Sequence, residues 1–172
     1  MPPTRPQISI QHTDITKLEV DAIVNAANRR MRGGGGVDGA IHRAGGLQIL
    51  RDCINRFPKG LATGQAGYTT AGRLPAKWVI HTVGPNYRKG ERDPALLESC
   101  YRHALQIADE LGVRSIAFPL ISAGVYRWPV DDAAAIALRT VATQQTDVKE
   151  VVFAAFTPEA HNALIVAAKE QT

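Results

Sequence analysis

Short apolar, β-rich runs alternate with longer stretches of helical spacing along this chain, and that alternation admits few architectures. The runs lie at residues 8–11, 20–24, 77–83, 115–121 and 151–156, with a weaker one at 65–70. Between them, apolar residues recur at helical intervals. Ile41, Ala44, Leu47, Ile49, Leu50 and Ile54 predict a helix interrupted at Gly45 and Gly46. Leu97, Cys100, Tyr101, Ala104, Leu105, Ala108 and Leu111 form a clear stripe, opened by Asp93-Pro94 and closed by Gly112. Residues 129–145 predict a third helix, with Asp131 and Asp132 where the helix dipole favours them. Thr157 is the expected cap of a terminal helix that starts Pro158-Glu159. Strands alternating with helices predict an α/β layer fold with a largely parallel sheet. Such sheets bind ligands outside the carboxyl ends of their strands. With no repeat and no low-complexity linker, residues 1–172 are expected to form a single domain.

Charge and cysteine usage narrow the function classes. Lys plus Arg is 20 against 16 Asp plus Glu, a formal net charge of +4. This mild excess favours anionic partners but forms no basic run beyond Arg29-Arg30 with Arg32 nearby. Those arginines are either a solvated loop or face a phosphate. No stretch approaches the length of a membrane-spanning helix, and residues 1–7 lack the apolar core of a secretory signal. Two cysteines, Cys53 and Cys100, make neither a metal pattern nor a disulfide framework. The expectation is a reduced, cytoplasmic protein without a metal.

The most unusual segment follows the run at 20–24. Four consecutive glycines, Gly33, Gly34, Gly35 and Gly36, stand ahead of a helical stretch. Glycine lets backbone N–H groups approach a ligand and adopt positive φ. At a helix N-terminus such groups make an anion site, and a diphosphate is the natural guest. The alternative is a loose surface loop. Gly34, Gly36 and Gly39 match a dinucleotide-binding spacing, but residues 26–32 intervene after the strand and no acid closes a second strand, so an oxidoreductase is disfavoured. A phosphate-binding P-loop fails for want of Gly-Lys-Ser/Thr. Asp38, just past the glycines, is either the helix cap or a carboxylate that holds water beside a bound phosphate or sugar. Asn25 and Asn28 flank the strand's end, one expected to tie down the turn and the other to offer its amide to ligand hydroxyls. His42 reads as packing or solvated.

These segments resemble the macrodomain family, within it the hydrolase-type members that include O-acetyl-ADP-ribose deacetylases. The resemblance rests on Asp14-Ile15-Thr16, the Asn25-Ala26-Ala27-Asn28 run, the glycine-rich segment 33–46, His81-Thr82-Val83-Gly84-Pro85, and Ile121-Ser122-Ala123-Gly124-Val125-Tyr126. It spans nearly the whole chain in order. It implies a three-layer α/β/α domain with a mixed, largely parallel central sheet that binds ADP-ribose at the strand ends. By position, Asp14 accepts from the adenine amino group and Ile15 gives a backbone contact. Phe156 packs on adenine. Asn28 holds the distal ribose. Gly33, Gly34, Gly35, Gly36 and Val37 wrap the ribose and diphosphate, while Ser122, Ala123, Gly124, Val125 and Tyr126 form the facing loop. Thr13, Ala123, Arg127 and Arg29-Arg30 depart from the family's usual residues.

The resemblance implies hydrolysis of an ester on the distal ribose, either of ADP-ribosylated acidic side chains on proteins or of O-acetyl-ADP-ribose. Asn28 and Asp38 are the catalytic candidates. No Ser-His or Cys-His pairing is evident, so bound water is the expected nucleophile, with Asp38 or the substrate's own phosphate as base. No cofactor and no metal are implied. The expected partners are ADP-ribose, its esters and mono-ADP-ribosylated proteins, with nucleic acid only if it is ADP-ribosylated and no membrane. The chain is expected to be a monomer. The alternative is a non-catalytic ADP-ribose reader, against which Asp38 speaks.

Overall fold

The computed structural model describes residues 5–171. In chain order its elements are β1 (Gln7–His12), β2 (Ala22–Ala27), α1 (Gly36–Gly45), α2 (Leu47–Arg56), β3 (Ala66–Thr70), β4 (Trp78–Val83), α3 (Pro94–Glu110), β5 (Ser115–Phe118), α4 (Val130–Thr143), β6 (Glu150–Ala155) and α5 (Pro158–Glu170). Short 3-10 turns cover Ile15–Lys17 and Tyr87–Lys89. The local signals act as expected at several helix ends. Asp93 accepts from the amide of Ala95 ahead of Pro94, Thr157 accepts from that of Ala160 ahead of Pro158, and Gly112 takes φ +71° beyond α3. Gly46 ends α1 at φ +87°, a conformation natural to glycine, and α2 restarts there.

The six strands form one sheet in the order β1-β6-β5-β2-β4-β3. Only β3 runs antiparallel to its neighbour, so the sheet is mixed and largely parallel. Successive strand residues point to opposite faces. From β2, Ala22 and Val24 join a core with α3, α4 and α5, while Ile23 and Ala27 join another with α1 and α2. The result is three layers, α/β/α. Aromatic rings anchor the first core: Tyr101, Phe118 and Phe153 lie with centroids 5.2 to 6.3 Å apart. Burying side chains of this size contributes roughly 1.5–3 kcal/mol each.

Two strands differ from expectation. The run at 20–24 becomes a strand at Ala22–Ala27, because buried partners allow polar Asn25 to stay in the ladder. The run at 115–121 stops at Phe118, since Pro119 has no N–H to give. The Ile121 amide donates instead to the Tyr101 hydroxyl, at 3.1 Å. The early stop has a geometric effect. β5 pairs with β2 only at Ala22–Ile116 and Ile23–Ala117, so residues 25–27 run past its end. β2 leads on toward the β3 edge, whereas β5 leads through α4 to β6 on the other side. The crevice between them is the topological switch point of the sheet. Among the described residues no helix is long and apolar enough to cross a membrane.

Candidate functional site

The glycine run lies at the carboxyl end of β2, beside that switch point. Asn28 ties the loop together: its Nδ2 donates to the Gly33 carbonyl at 3.0 Å, and its Oδ1 accepts from the Arg30 amide at 3.1 Å. Met31 turns the chain at φ +59° with its side chain buried. The cap position of α1 is Gly35, with no side-chain cap. Among the described residues the amides of Gly34, Gly35, Gly36 and Val37 donate to no protein acceptor. Those free amides and the helix dipole together favour an anion. Close seating requires glycine at position 39, where a Cβ would meet the Gly34 carbonyl oxygen at 2.5 Å.

Of the three arginines, Arg30 is exposed, and Arg29 and Arg32 are engaged by the protein. Arg32 donates to the carbonyls of Arg30, Met31, Phe57 and Pro58. Arg29 pairs with Glu91 and donates to Thr63. They stitch the loop to its surroundings and leave the positive potential to the backbone. A cleft of about 300 Å³ adjoins the loop, bordered by Gly33, His42, Leu47 and Arg73 among others.

Asp38 is not the helix cap. It is the third residue of α1, 4% exposed, and it faces inward. Its Oδ1 accepts from Asn25 Nδ2 at 2.9 Å, and His42 Nε2 lies 3.3 Å from the same oxygen. His42 is thus partly buried beside Asp38, its ring also lying next to Gly33. The other oxygen, Oδ2, and Asn28 Nδ2 converge on Gly34, each 3.2 Å from where a Cβ would stand. One carboxylate oxygen is thus engaged inside the protein and the other faces the glycine cradle.

Behind Asp38 the polar contacts continue into the sheet. Asn25 Nδ2 also lies 3.1 Å from Nδ1 of His81, its register partner on β4. His81 Nε2 lies 2.8 Å from the Thr69 hydroxyl on β3. His81 is almost fully buried, and that burial, together with nearby His42, pushes its pKa from 6.5 down to about 3. The imidazole is neutral. Cys53 Sγ lies 3.8 Å from Nε2, and burial pushes that thiol up to about 11, so it stays a thiol. Sequence reasoning assigned no role to His81 or Thr69. The available signals were a histidine inside an apolar β-run and its place in the His81-Thr82-Val83-Gly84-Pro85 segment that carries the resemblance.

The second loop leaves β5 at the same end of the sheet. Ser122 and Arg127 both take left-handed backbone, φ +68° and +65°, and the Trp128 amide closes the loop on the Ser122 carbonyl at 2.9 Å. Ser122 Oγ donates to the Pro85 carbonyl at 2.8 Å, which leaves no room for a Cβ at Gly84. Among the described residues the amides of Gly124, Val125 and Tyr126 donate to no protein acceptor. Burial, with the charges of Glu91 and Asp38, raises the Tyr126 phenol. Ala123 packs partly against the first core.

Asp14 and Phe156 lie just beyond the carboxyl ends of the paired strands β1 and β6. Asp14 Oδ1 accepts from the Thr16 amide at 2.9 Å and the Thr16 hydroxyl at 2.7 Å, which lowers the Asp14 pKa. Those bonds fix the carboxylate. Ile15 is buried beneath it. Phe156 falls one residue past β6 and is 82% exposed, not buried. Among the described residues no group of three or more His, Cys, Asp or Glu could hold a metal.

Known proteins share this fold. The family model described as Macro domain matches residues 24–137. A Macro domain-containing protein of Streptomyces coelicolor is 56% identical over 160 residues, covering 91% of this chain and 95% of that protein. A solved Oceanobacillus iheyensis macrodomain mutant with ADPR superposes with a TM-score of 0.91 at 37% identity, covering 99% of this chain and 96% of that one. A Trypanosoma brucei macrodomain in complex with ADP-ribose gives 0.85 at 42% identity, covering 91% of this chain and 67% of that one. The chain belongs to the Macro domain family.

Proposed function

We propose that this protein binds ADP-ribose in the crevice and hydrolyses esters on its distal ribose, with ADP-ribosylated acidic side chains and O-acetyl-ADP-ribose as the substrate class. The ADP-ribose complexes of the Oceanobacillus and Trypanosoma relatives support the ligand. The glycine-loop amides and those of Gly124, Val125 and Tyr126 receive the diphosphate, Asp14 and Phe156 receive adenine, and Asn28 orients the distal ribose. Backbone donors suit a diphosphate because they are fixed before it arrives.

The observation that carries the hydrolytic reading is the carboxylate of Asp38. Its Oδ1 is engaged by Asn25, and its Oδ2 faces the cradle. A pure reader has no need of a buried acid aimed at the ligand. In the reaction, water oxygen bonds to the ester carbonyl carbon while Asp38 Oδ2 takes its proton. The carbon–oxygen bond to the ribose then breaks, and the ribose oxygen recovers a proton. Loop amides balance the developing negative charge. The test is release of ADP-ribose from glutamate-linked ADP-ribosylated protein. Asp38→Ala should lose about 100-fold in kcat or more while still binding ADP-ribose. Retention of label by the native chain would leave a reader, and unchanged turnover in Asp38→Ala would remove this residue as base.

A further inference from the structure

We propose that His81 is a positioning residue for Asp38, acting through Asn25, and that Thr69 takes the proton the ring carries on its other nitrogen. The inference rests on the hydrolytic reading above and extends it to residues outside the crevice.

The argument is a count of protons. Asn25 is fully buried, and its side-chain nitrogen carries two hydrogens. One goes to Asp38 Oδ1 at 2.9 Å, and the other points at His81 Nδ1, 3.1 Å away. The opposite amide orientation would set Asn25 Oδ1 against a carboxylate oxygen, two acceptors in contact. His81 Nδ1 must therefore be the bare nitrogen and Nε2 the protonated one. Thr69 accepts that proton at 2.8 Å and passes its own hydroxyl proton to the Thr70 carbonyl at 2.9 Å. The donors then run outward from Asn25 in both directions, to Asp38 on α1 and through His81 and Thr69 to the Thr70 carbonyl. Reversing His81 would set two hydrogens against each other at Asn25 and leave Nε2 without a proton for Thr69.

This polarity reaches the site. With Asn25 held, Asp38 Oδ1 is engaged by the amide and flanked by His42, which leaves Oδ2 toward Gly34 and Asn28. Asn25 Oδ1 has no hydrogen-bond partner in the structure. The amide thus keeps both its hydrogens on Asp38 and His81 even at the cost of an unsatisfied oxygen, as expected if those two partners fix its orientation. Buried polar chains of this kind cost more than apolar packing unless every donor is placed. A histidine serving the core alone would not require this tautomer.

Four versions of the protein decide the matter: the native chain, His81→Leu, His81→Asn and Thr69→Val. His81→Leu removes the acceptor for Asn25. It should lower kcat by about 100-fold, the scale of a misplaced catalytic group, with KM and ADP-ribose affinity unchanged within about threefold. His81→Asn returns an acceptor oxygen near the Nδ1 position and should recover most of that loss. Thr69→Val removes the acceptor of the Nε2 proton, and nitrogen NMR of labelled histidine should show the Nε2–H form kept by Asn25 with its Nε2 resonance shifted. His81→Leu that folds and turns over like the native chain would overturn the proposal, as would a native spectrum showing His81 protonated on Nδ1. Should His81→Leu fail to fold, the native and Thr69→Val spectra and the kcat of His81→Asn still decide. A native chain that releases no ADP-ribose would instead sink the hydrolytic reading, a result separate from any of these.

Discussion

Replacing Gly39 by alanine tests how the loop is seated on α1, because helix propensity and the contact with Gly34 act on stability with opposite signs, whereas binding can only lose. Alanine gains about 1 kcal/mol of helix propensity over glycine. The new Cβ, however, would stand 2.5 Å from the Gly34 carbonyl oxygen, and ordinary contact begins at 3.4 Å, so the carbonyl must retreat by about 0.9 Å (3.4 − 2.5). The next carbonyl along, that of Gly33, is held by Asn28 at 3.0 Å, which limits how far the loop can give. Overpacking costs about 1–3 kcal/mol. The net is a loss of about 0–2 kcal/mol, or a fall in Tm of about 0–8 °C for a domain of this size. Binding should suffer more. Displacing the cradle amides weakens one or two bonds to an anion, at about 1.5–3 kcal/mol each, so ADP-ribose affinity should fall at least about tenfold. Thermal unfolding and titration calorimetry measure the two effects. Gly35→Ala is the stability control, since φ is not positive there and nothing lies within 4 Å of its Cβ. Native-like affinity with a raised Tm in Gly39→Ala would show that the loop is not seated against α1, and the account of the cradle would fail.

Phe156 is 82% exposed, so Phe156→Ala should leave Tm unchanged while weakening ADP-ribose binding by about 1–3 kcal/mol, as calorimetry would show. Asp14 contributes through a pKa held below 3.8. Its stabilisation is complete above that ordinary value and fades as pH falls through the lowered one. Urea unfolding of the native chain and Asp14→Asn should therefore differ by a constant above about pH 5 and converge in acid; a difference independent of pH would refute the role of Thr16. His81 acts through the unfolded state. Below pH 6.5 the unfolded imidazole takes up a proton that the folded one refuses until about 3. Stability should fall as pH drops across that window, by up to about 1.4 kcal/mol per pH unit. His81→Asn should remove this component of the slope, and an unchanged slope would contradict the neutral buried ring.

Much of the fold was legible because it depends on local signals. Glycines 45 and 46 divide α1 from α2, Pro94 and Pro158 open their helices, and β-branched runs mark β4 and β6. The glycine run and the acid after it also stood out. What stayed hidden needs sheet order. Asn25 read as the end of a strand because polar residues seldom continue a buried one; its partners are 13 and 56 positions away. His81 and Thr69 meet only because β3 turns back antiparallel on β4. Asp38 looked like a cap because the helix start could not be placed among four glycines. Once α1 begins at Gly36, the same carboxylate lies within the helix and turns inward.

The premature halt of β5 at Pro119 also bears on how a guest would be felt. Residues 25–27 of β2 keep β4 on one flank and find no strand on the other. A molecule lodged there occupies the berth of an absent ladder rung, against the same strand that carries Asn25. Occupancy would thus stiffen the middle of the sheet itself. Slower hydrogen exchange should reach His81 across the ladder, well beyond any atom the guest touches.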